Sequence, residues 1–141
     1  MATTTISLSY EEIIRAVCAH HMIQAIAKRY PDGYTHNLIS DAQHEELCEI
    51  IDGAFASCAV RFARRCTLPF EPLTIVFDDS IRLNYEPLRM FFKSAVIAMT
   101  LYYIAGVGAL PYALNLYDQA KHFLDMIAEP EVHVVNIDLY R

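Results

Sequence analysis

The sequence is poor in glycine and proline and contains no tryptophan. Only four glycines and six prolines occur in 141 residues, which disfavours a loop-rich fold and favours long regular elements. Hydrophobic residues make up 55% of the chain and charged residues 20%, a balance that excludes a disordered polypeptide. A chain of this length buries roughly two-thirds of its unfolded surface and most simply forms one domain, here residues 1–141.

Basic charge is also scarce. Eleven Lys and Arg stand against seventeen Asp and Glu, which gives a net charge of −6. Such a chain is not suited to gripping phosphates, although nucleic acid can slide past it without sticking. The basic residues are scattered apart from Arg61, Arg64 and Arg65.

The four cysteines contain no CxxC pair. Cys48 and Cys58 on one helix would lie about 15 Å apart, too far for a disulfide. We therefore predict free, buried thiols in a reducing compartment for Cys18, Cys48, Cys58 and Cys66. The start, MATTTISLSYEE, has neither a basic region nor a long apolar run, so we expect no signal peptide.

Two capped helices are predicted in the first half of the chain. Helix 1, residues 8–30, begins with a capping box of Ser9 and Glu12 and ends before Pro31-Asp32-Gly33. Helix 2, residues 40–66, begins with Ser40 and Gln43 and has acidic residues first and arginines last, as the helix dipole prefers. Its apolar stripe at helical spacing is Leu47, Cys48, Ile51, Ala54, Phe55, Cys58, Phe62 and Cys66.

Residues 73–84 leave the helical pattern. Ile75 and Phe77 alternate with other residues, Asp78-Asp79-Ser80 suits a turn, and Ile81 and Leu83 alternate again. The pattern predicts a short β-hairpin-like excursion. Pro87 then suits the first turn of helix 3, residues 86–106.

No charged residue lies between Lys93 and Asp118, and a run of that length could span a bilayer. Gly106, Gly108 and Pro111 fall near its middle, however, where a helical hairpin turns. Apolar residues on either side also follow one-sided helical stripes instead of covering the whole surface, and the stripe after the turn includes Leu114, Ala120 and Leu124. We therefore predict that helix 3 folds back onto helix 4, residues 110–129, and keep a membrane span as the alternative.

Residues 131–141 alternate like a strand with a phase slip near Val135. This extended tail could pair with residues 73–83 or with a neighbouring subunit by strand addition. The predicted fold is therefore mainly α: a bundle of about four helices, a short β-hairpin-like excursion and an extended C-terminal strand.

Few residues suggest chemistry. His20 and His21 are most simply helix residues, and His44-Glu45-Glu46 lacks the second histidine of a zincin motif, because Cys48 stands there. Asp78 and Asp79, with Glu86, could bind a cation, but acidic turns are more often solvated. We predict no catalytic, cofactor or metal site.

Tyrosine and the tail suggest contacts between subunits instead. Tyrosine suits surfaces that are apolar at one end and wet at the other, although the rim of a core uses it in the same way. The predicted interface residues are Tyr102, Tyr103, Tyr112 and Tyr117 around the hairpin, and Val132, Val134, Ile137 and Leu139 in the tail.

Three segments in this order resemble the head-to-tail connector (adaptor) proteins of tailed double-stranded DNA bacteriophages. They are EIIDGAFASCAVRFARRC, EPLRMFFKSAVIAMTLYY and LPYALNLYDQAKHFLDMI. The resemblance covers roughly residues 41–129 and consists of element order and residue texture, with no diagnostic motif; the long capped N-terminal helix departs from it.

The resemblance implies a closed ring of self-associated copies, about a dozen, in the neck of the virion, assembled in the host cytoplasm. The ring would bind the portal protein and further tail or ring proteins, let DNA pass without sequence-specific binding, and have no enzyme activity, cofactor or membrane. The alternative is a small cytoplasmic helical regulatory or ligand-binding protein that uses the Tyr- and Met-lined hairpin as a pocket.

Overall fold

The computed structural model describes residues 3–19, 41–67, 71–107 and 113–128. The helices are α1 (Tyr10–Ala19), α2 (Asp41–Val60), α3 (Tyr85–Val107) and α4 (Ala113–Ala128). The strands are β1 (Thr4–Ser7), β2 (Cys66–Thr67) and β3 (Thr74–Phe77). The predicted mainly α fold with a small β element is confirmed.

The three strands form one antiparallel sheet in the order β1-β3-β2. Thr4 pairs with Phe77 at one end of the β1–β3 ladder and Ser7 pairs with Thr74 at the other. Cys66 also pairs with Phe77, from the opposite side. β3 is therefore the central strand, and both of its edges are occupied.

This sheet differs from the hairpin predicted within residues 73–84. Only the first half of that segment is a strand; Asp79 and Ser80 form the predicted turn, and Ile81 and Leu83 are not in a strand. Ile81 is buried in the core instead. The pairing strands come from before α1 and after α2, and β1 was not predicted, because Thr4–Ser7 holds a single apolar residue.

The capping box predicted for helix 1 is confirmed. The Ser9 backbone N–H donates to Glu12 Oε2 at 2.8 Å, and the Glu12 N–H donates to Ser9 Oγ at 3.2 Å. Leu8 before the cap and Ile13 after it are both buried, as a hydrophobic staple requires. Residues 20–30 of the predicted helix lie outside the described residues, as do the side chains of the Ser40–Gln43 box.

The second helix ends six residues earlier than predicted, at Val60 instead of residue 66. Tight turns follow, in which Phe62 N–H donates to the Ala59 carbonyl at 2.9 Å and Arg65 N–H to the Phe62 carbonyl at 2.8 Å. The apolar stripe continues to Phe62, which is buried. The helix must stop there because the next residues pair with β3, starting with the Arg65 carbonyl, which accepts from Asp78 N–H at 2.9 Å.

α3 and α4 form the predicted antiparallel hairpin. Tyr102 near the end of α3 contacts Tyr117 near the start of α4, with ring centroids 5.1 Å apart. Phe91 near the start of α3 stacks on Phe123 farther along α4 at 6.5 Å. The predicted reversal between the two helices is therefore confirmed, with the connecting residues 108–112 outside the described ranges.

A cluster of edge-to-face phenylalanines connects the helices to the sheet. Phe92 on α3 is fully buried, and its ring centroid lies 5.4 Å from Phe55 of α2 and 5.6 Å from Phe77 of β3. Phe62 lies 5.4 Å from Phe77 and completes the cluster. Edge-to-face pairs add to the burial energy of each ring, so this cluster fixes how the sheet packs on the bundle.

By length and composition, Tyr85–Gly106 is the one helix among the described residues that could cross a membrane, and half of it is buried inside the fold. Its buried positions include Leu88, Phe92, Val96 and Met99. A helix of a soluble core passes the same test, so the segment's apolar character is accounted for by its contacts with α2 and α4.

Candidate interaction surface

Three of the four predicted hairpin tyrosines lie together. Tyr102 is 5.7 Å from Tyr103 and 5.1 Å from Tyr117 between ring centroids. Their rings are tilted against one another instead of stacked, and they lie at the end of the hairpin near the connection between α3 and α4. Tyr112 lies outside the described residues.

The position of Tyr103 is fixed by α2. Its hydroxyl forms a hydrogen bond with Ser57 Oγ, between residues 46 positions apart in the sequence. Tyr102 and Tyr103 are both half-buried and pack against the core. These two residues are therefore the core rim that the sequence offered as the plainer interpretation of the tyrosines.

Tyr117 behaves differently, because 42% of its surface is exposed. Leu114 lies one helical turn before it and is 71% exposed, the highest value among the exposed large apolar side chains of the described residues. Gly106 at the end of α3 is exposed too. We call Tyr102, Tyr103, Leu114 and Tyr117 the tyrosine surface. The sequence did not identify Leu114 as exposed, because a leucine at helical spacing was assigned to the buried face.

The tail residues Val132, Val134, Ile137 and Leu139 lie outside the described residues. The structure does limit where a tail strand could pair. Both edges of β3 are taken by β1 and β2. The tail therefore cannot pair with Thr74–Phe77, the strand within the segment 73–83 considered above. The edges of the described sheet belong to β1 and β2.

Two of the three clustered arginines hold the fold together. Arg61 forms an ion pair with Asp125 of α4. Arg65 donates from Nε to Ser80 Oγ at 3.0 Å, and from its two terminal nitrogens to the Ser80 carbonyl at 2.9 Å and the Ala128 carbonyl at 3.3 Å. These arginines follow α2 and do not cap its last turn as predicted; Arg65 instead meets the C-terminal carbonyls of α4, where a positive charge is favoured.

The Asp78-Asp79 pair is part of a turn. Asp78 Oδ1 accepts a hydrogen bond from the Ser80 backbone N–H at 2.9 Å and another from the Ser80 hydroxyl. These two bonds lower the pKa of Asp78. Within the described ranges, no three His, Cys, Asp or Glu side chains form a group that could hold a metal ion.

The four cysteines are free, as predicted, but only Cys58 is buried as predicted, and Cys18, Cys48 and Cys66 are partly exposed. Burial raises the pKa of the Cys58 thiol to about 12 and raises the pKa values of Cys18 and Cys66. Burial, together with Asp52 and Glu45, also raises the pKa of Cys48, whose sulfur lies 3.8 Å from His44 Nδ1. These thiols stay protonated at neutral pH, which suits packing better than nucleophilic chemistry. His20 and His21 lie outside the described residues.

One ionic cluster was not predicted. Arg89 donates to Glu12 Oε1 at 2.8 Å and to Oε2 at 3.0 Å, and Lys93 Nζ lies 3.3 Å from Oε1. Burial acts to raise the pKa of Glu12, but its hydrogen bonds to Ser9, Arg89 and Lys93 and the Arg89 charge lower it overall. Glu12 lies 77 positions before Arg89 in the sequence, so the i and i+4 spacing of Arg89 and Lys93 was the one local sign of a cluster.

Comparison with known proteins found no matching family model, no matching curated protein and no matching solved structure.

Proposed function

We propose that this chain is a structural protein of a tailed bacteriophage that assembles into a ring between the portal and the tail. Its copies bind one another, the portal protein and further tail or ring proteins, and DNA passes through the ring without sequence-specific contact. In this function the protein needs no enzyme activity, cofactor or membrane, and it acts in the neck of the virion after assembly in the host cytoplasm.

The observation that carries the proposal is the exposed tyrosine surface at the end of the α3–α4 hairpin. Leu114 and Tyr117 are 71% and 42% exposed. Both lie on α4, whose opposite face is buried through Leu116, Ala120 and Leu124. Aromatic and large apolar side chains are enriched in the centres of protein interfaces. A rigid hairpin that presents them at its tip suits repeated contacts between identical subunits.

The overall charge supports the same proposal. With a net charge of −6, a ring of copies repels the phosphate backbone, so DNA can move through it without being held. Arg61 and Arg65, which belong to the cluster of arginines in the sequence, are also bound within the chain. Arg61 binds Asp125, and Arg65 binds Ser80 and Ala128.

Native mass spectrometry of the full chain with the portal protein encoded near its gene tests the proposal. We expect a complex in which the portal carries a ring of copies. This complex should form even if the chain alone forms smaller oligomers, because binding to the portal can nucleate the ring. The double substitution Leu114→Ser and Tyr117→Ser should prevent ring formation. A chain that remains monomeric and ignores the portal would contradict the proposal.

A small cytoplasmic regulatory or ligand-binding protein is the second candidate. An open groove on α3, lined by Glu86, Pro87, Arg89, Met90 and Lys93, favours it. Met90 is 56% exposed there, beside Arg89 and Lys93, which also bind Glu12, so the groove combines an apolar side chain with charged groups, as sites for small amphipathic molecules do. A small molecule retained in native mass spectra and lost in Met90→Glu would favour this candidate over the ring.

A further inference from the structure

Among the described residues, the outer edge of β1 has no partner strand. Leu8 N–H donates to the Leu73 carbonyl at 2.9 Å, which makes these partners a hydrogen-bonded pair of the antiparallel ladder. Such pairs alternate along a ladder, so residues 4 and 6 also face β3 with their backbone groups. The backbone groups of Thr5 and Ser7 therefore point away from the sheet. Arg89 donates to the Ser7 carbonyl at 3.3 Å from that side, as this alternation requires.

The composition of this edge does not protect it. Thr4–Ser7 contains neither proline nor charge, and Thr5 and Ser7 are exposed. Natural sheets usually blunt a free edge with lysine, proline or a bulge. Among the described residues no strand covers β1 on this side, and Arg89 occupies only its end.

The opposite edge, at β2, is a poorer acceptor. β2 has two residues, and the Arg65–Asp78 hydrogen bond places only the backbone groups of Cys66 outward. Pro69 follows two residues after Thr67 and has no N–H to donate. An added strand would find one or two bonds here and a longer ladder at β1.

The end of α4 lies on the β2 side of the sheet. α4 ends at Ala128, whose carbonyl is bound by Arg65, the residue just before β2. A strand outside β1 would lie three strand spacings from β2, about 14 Å in a straight line through the sheet. The four steps from Ala128 to Val132 span at most about 14 Å when fully extended. A tail that pairs from Val132 onward is therefore short for passing around its own sheet, whereas the β1 edge of a second copy can be brought to it.

We propose that residues 132–139 of one copy pair with the outer edge of β1 in a second copy. This inference deepens the proposed function, because it names the contact that closes the ring. Each copy donates its tail beside β2 and accepts a tail at β1, so the two halves of the contact lie at opposite edges of one sheet. A contact of this heterologous kind can repeat from copy to copy and so produce rings or filaments.

Blocking each half separately tests the proposal. Thr5→Pro removes the outward N–H of β1 and leaves the ladder to β3, whereas Thr5→Val keeps that N–H and serves as its matched control. Thr5→Lys, which places a charge on the edge, is a second block should the proline variant fold poorly. In the tail, Val134→Pro is combined with Ile137→Pro. Alternate residues of a strand point their N–H groups to the same side, and one of these positions is even and the other odd, so the pair removes a backbone N–H donor toward β1 whichever side of the tail faces it. His133→Ala is the control.

Complementation then separates exchange between copies from pairing within one chain. Native mass spectrometry should show oligomers for the full chain and both controls, and monomers for each blocked variant alone. An equal mixture of the edge-blocked and tail-blocked variants should give a heterodimer that grows no further, since one copy keeps only a tail and the other only an edge. Hydrogen exchange should show the Thr5 amide protected in the oligomer and in the tail-blocked partner of the heterodimer.

Other results overturn the inference. A monomer in which the Thr5 amide is protected would place the tail on its own chain, and a mixture that gives no heterodimer would remove the contact altogether. Portal binding is measured separately. If the heterodimer forms but the full chain does not bind the portal, the strand exchange stands and the connector function is contradicted. If the Thr5→Pro variant forms a ring on the portal as the full chain does, the connector function stands and the strand exchange is contradicted.

Discussion

Arg65 donates a hydrogen bond to the Ala128 carbonyl across 63 positions of sequence, at 3.3 Å. The same guanidinium binds the side chain and the carbonyl of Ser80 at 3.0 Å and 2.9 Å. One side chain thus connects the segment after α2, the turn after β3 and the last residue of α4. This contact therefore holds the end of α4 beside the segment that precedes β2.

Arg65→Met should therefore destabilise the chain. The substitution keeps much of the aliphatic stem and removes all three hydrogen bonds. A hydrogen bond from a charged donor contributes about 1.5 kcal/mol or more to stability, and solvent exposure reduces this contribution. We expect a loss of about 1–3 kcal/mol in urea unfolding. Arg64→Met, at an exposed neighbouring position, should change stability by less than about 0.5 kcal/mol. Equal effects of the two would show that the Ala128 contact contributes nothing.

Glu12 should make stability depend on acid pH. Its pKa is lower in the folded chain than in the unfolded one, because Ser9, Arg89 and Lys93 stabilise the ionised carboxylate. The stabilisation is therefore fully present above the unfolded pKa, about 4.3 for a glutamate, and is lost as the pH falls through the lower folded pKa. Thermal unfolding measured from neutral pH down to this range should show a stability loss in the native chain.

Glu12→Gln removes the charge but keeps oxygen and nitrogen atoms that can serve the capping box. We expect this variant to be less stable than the native chain at neutral pH and to show a flatter dependence below pH 5. Glu12→Ala should cost more, about 1–2 kcal/mol, since it also removes the cap. Glu11→Gln is the control, because Glu11 is 72% exposed and its ion pair in the described part of the chain is with Arg15 on its own helix. A native-like acid dependence in Glu12→Gln would contradict this account.

Phe92 should be the most sensitive core position. It is fully buried and contacts three other phenylalanines, with centroid distances of 5.4 Å to Phe55, 5.6 Å to Phe77 and 6.5 Å to Phe62. Phe92→Ala removes the ring that connects both long helices to the sheet, and we expect a loss of about 3–5 kcal/mol. Met90→Ala, two residues away and 56% exposed, should cost under about 1 kcal/mol. Urea unfolding monitored by far-ultraviolet circular dichroism measures both.

The helices could be predicted because their signals are local. The Ser9–Glu12 box and the glycines near the hairpin turn involve residues a few positions apart, and the apolar stripes repeat every turn. The early end of α2 could not be predicted, since the apolar stripe continues through Phe62. What ends the helix is the pairing of Arg65 and Cys66 with residues near Phe77, a contact between distant residues that no local pattern contains.

The candidate surface was predictable only in part, for a related reason. Tyrosine enrichment around the hairpin predicted a group of tyrosines there, and three of the four lie together; that they form an interface stays a prediction. Helical spacing alone does not tell which apolar residues a neighbour covers, however, so exposed Leu114 was assigned to the buried face. The β1 edge was missed as well, because Thr4–Ser7 has one apolar residue and its strand exists only through pairing with β3.

Leu114 and Tyr117 should matter more for assembly than for folding. Leu114 is 71% exposed, whereas Tyr117 is 42% exposed and contacts Tyr102, so we expect the double serine substitution to lower the monomer's free energy of unfolding by about 1–2 kcal/mol. In an interface centre the same side chains contribute about 2 kcal/mol or more each. The double variant should therefore remain folded and fail to form oligomers in sedimentation experiments, while Lys121→Ser, exposed on the same helix, assembles normally. Native assembly by the double variant would show that the tyrosine surface faces solvent in the ring.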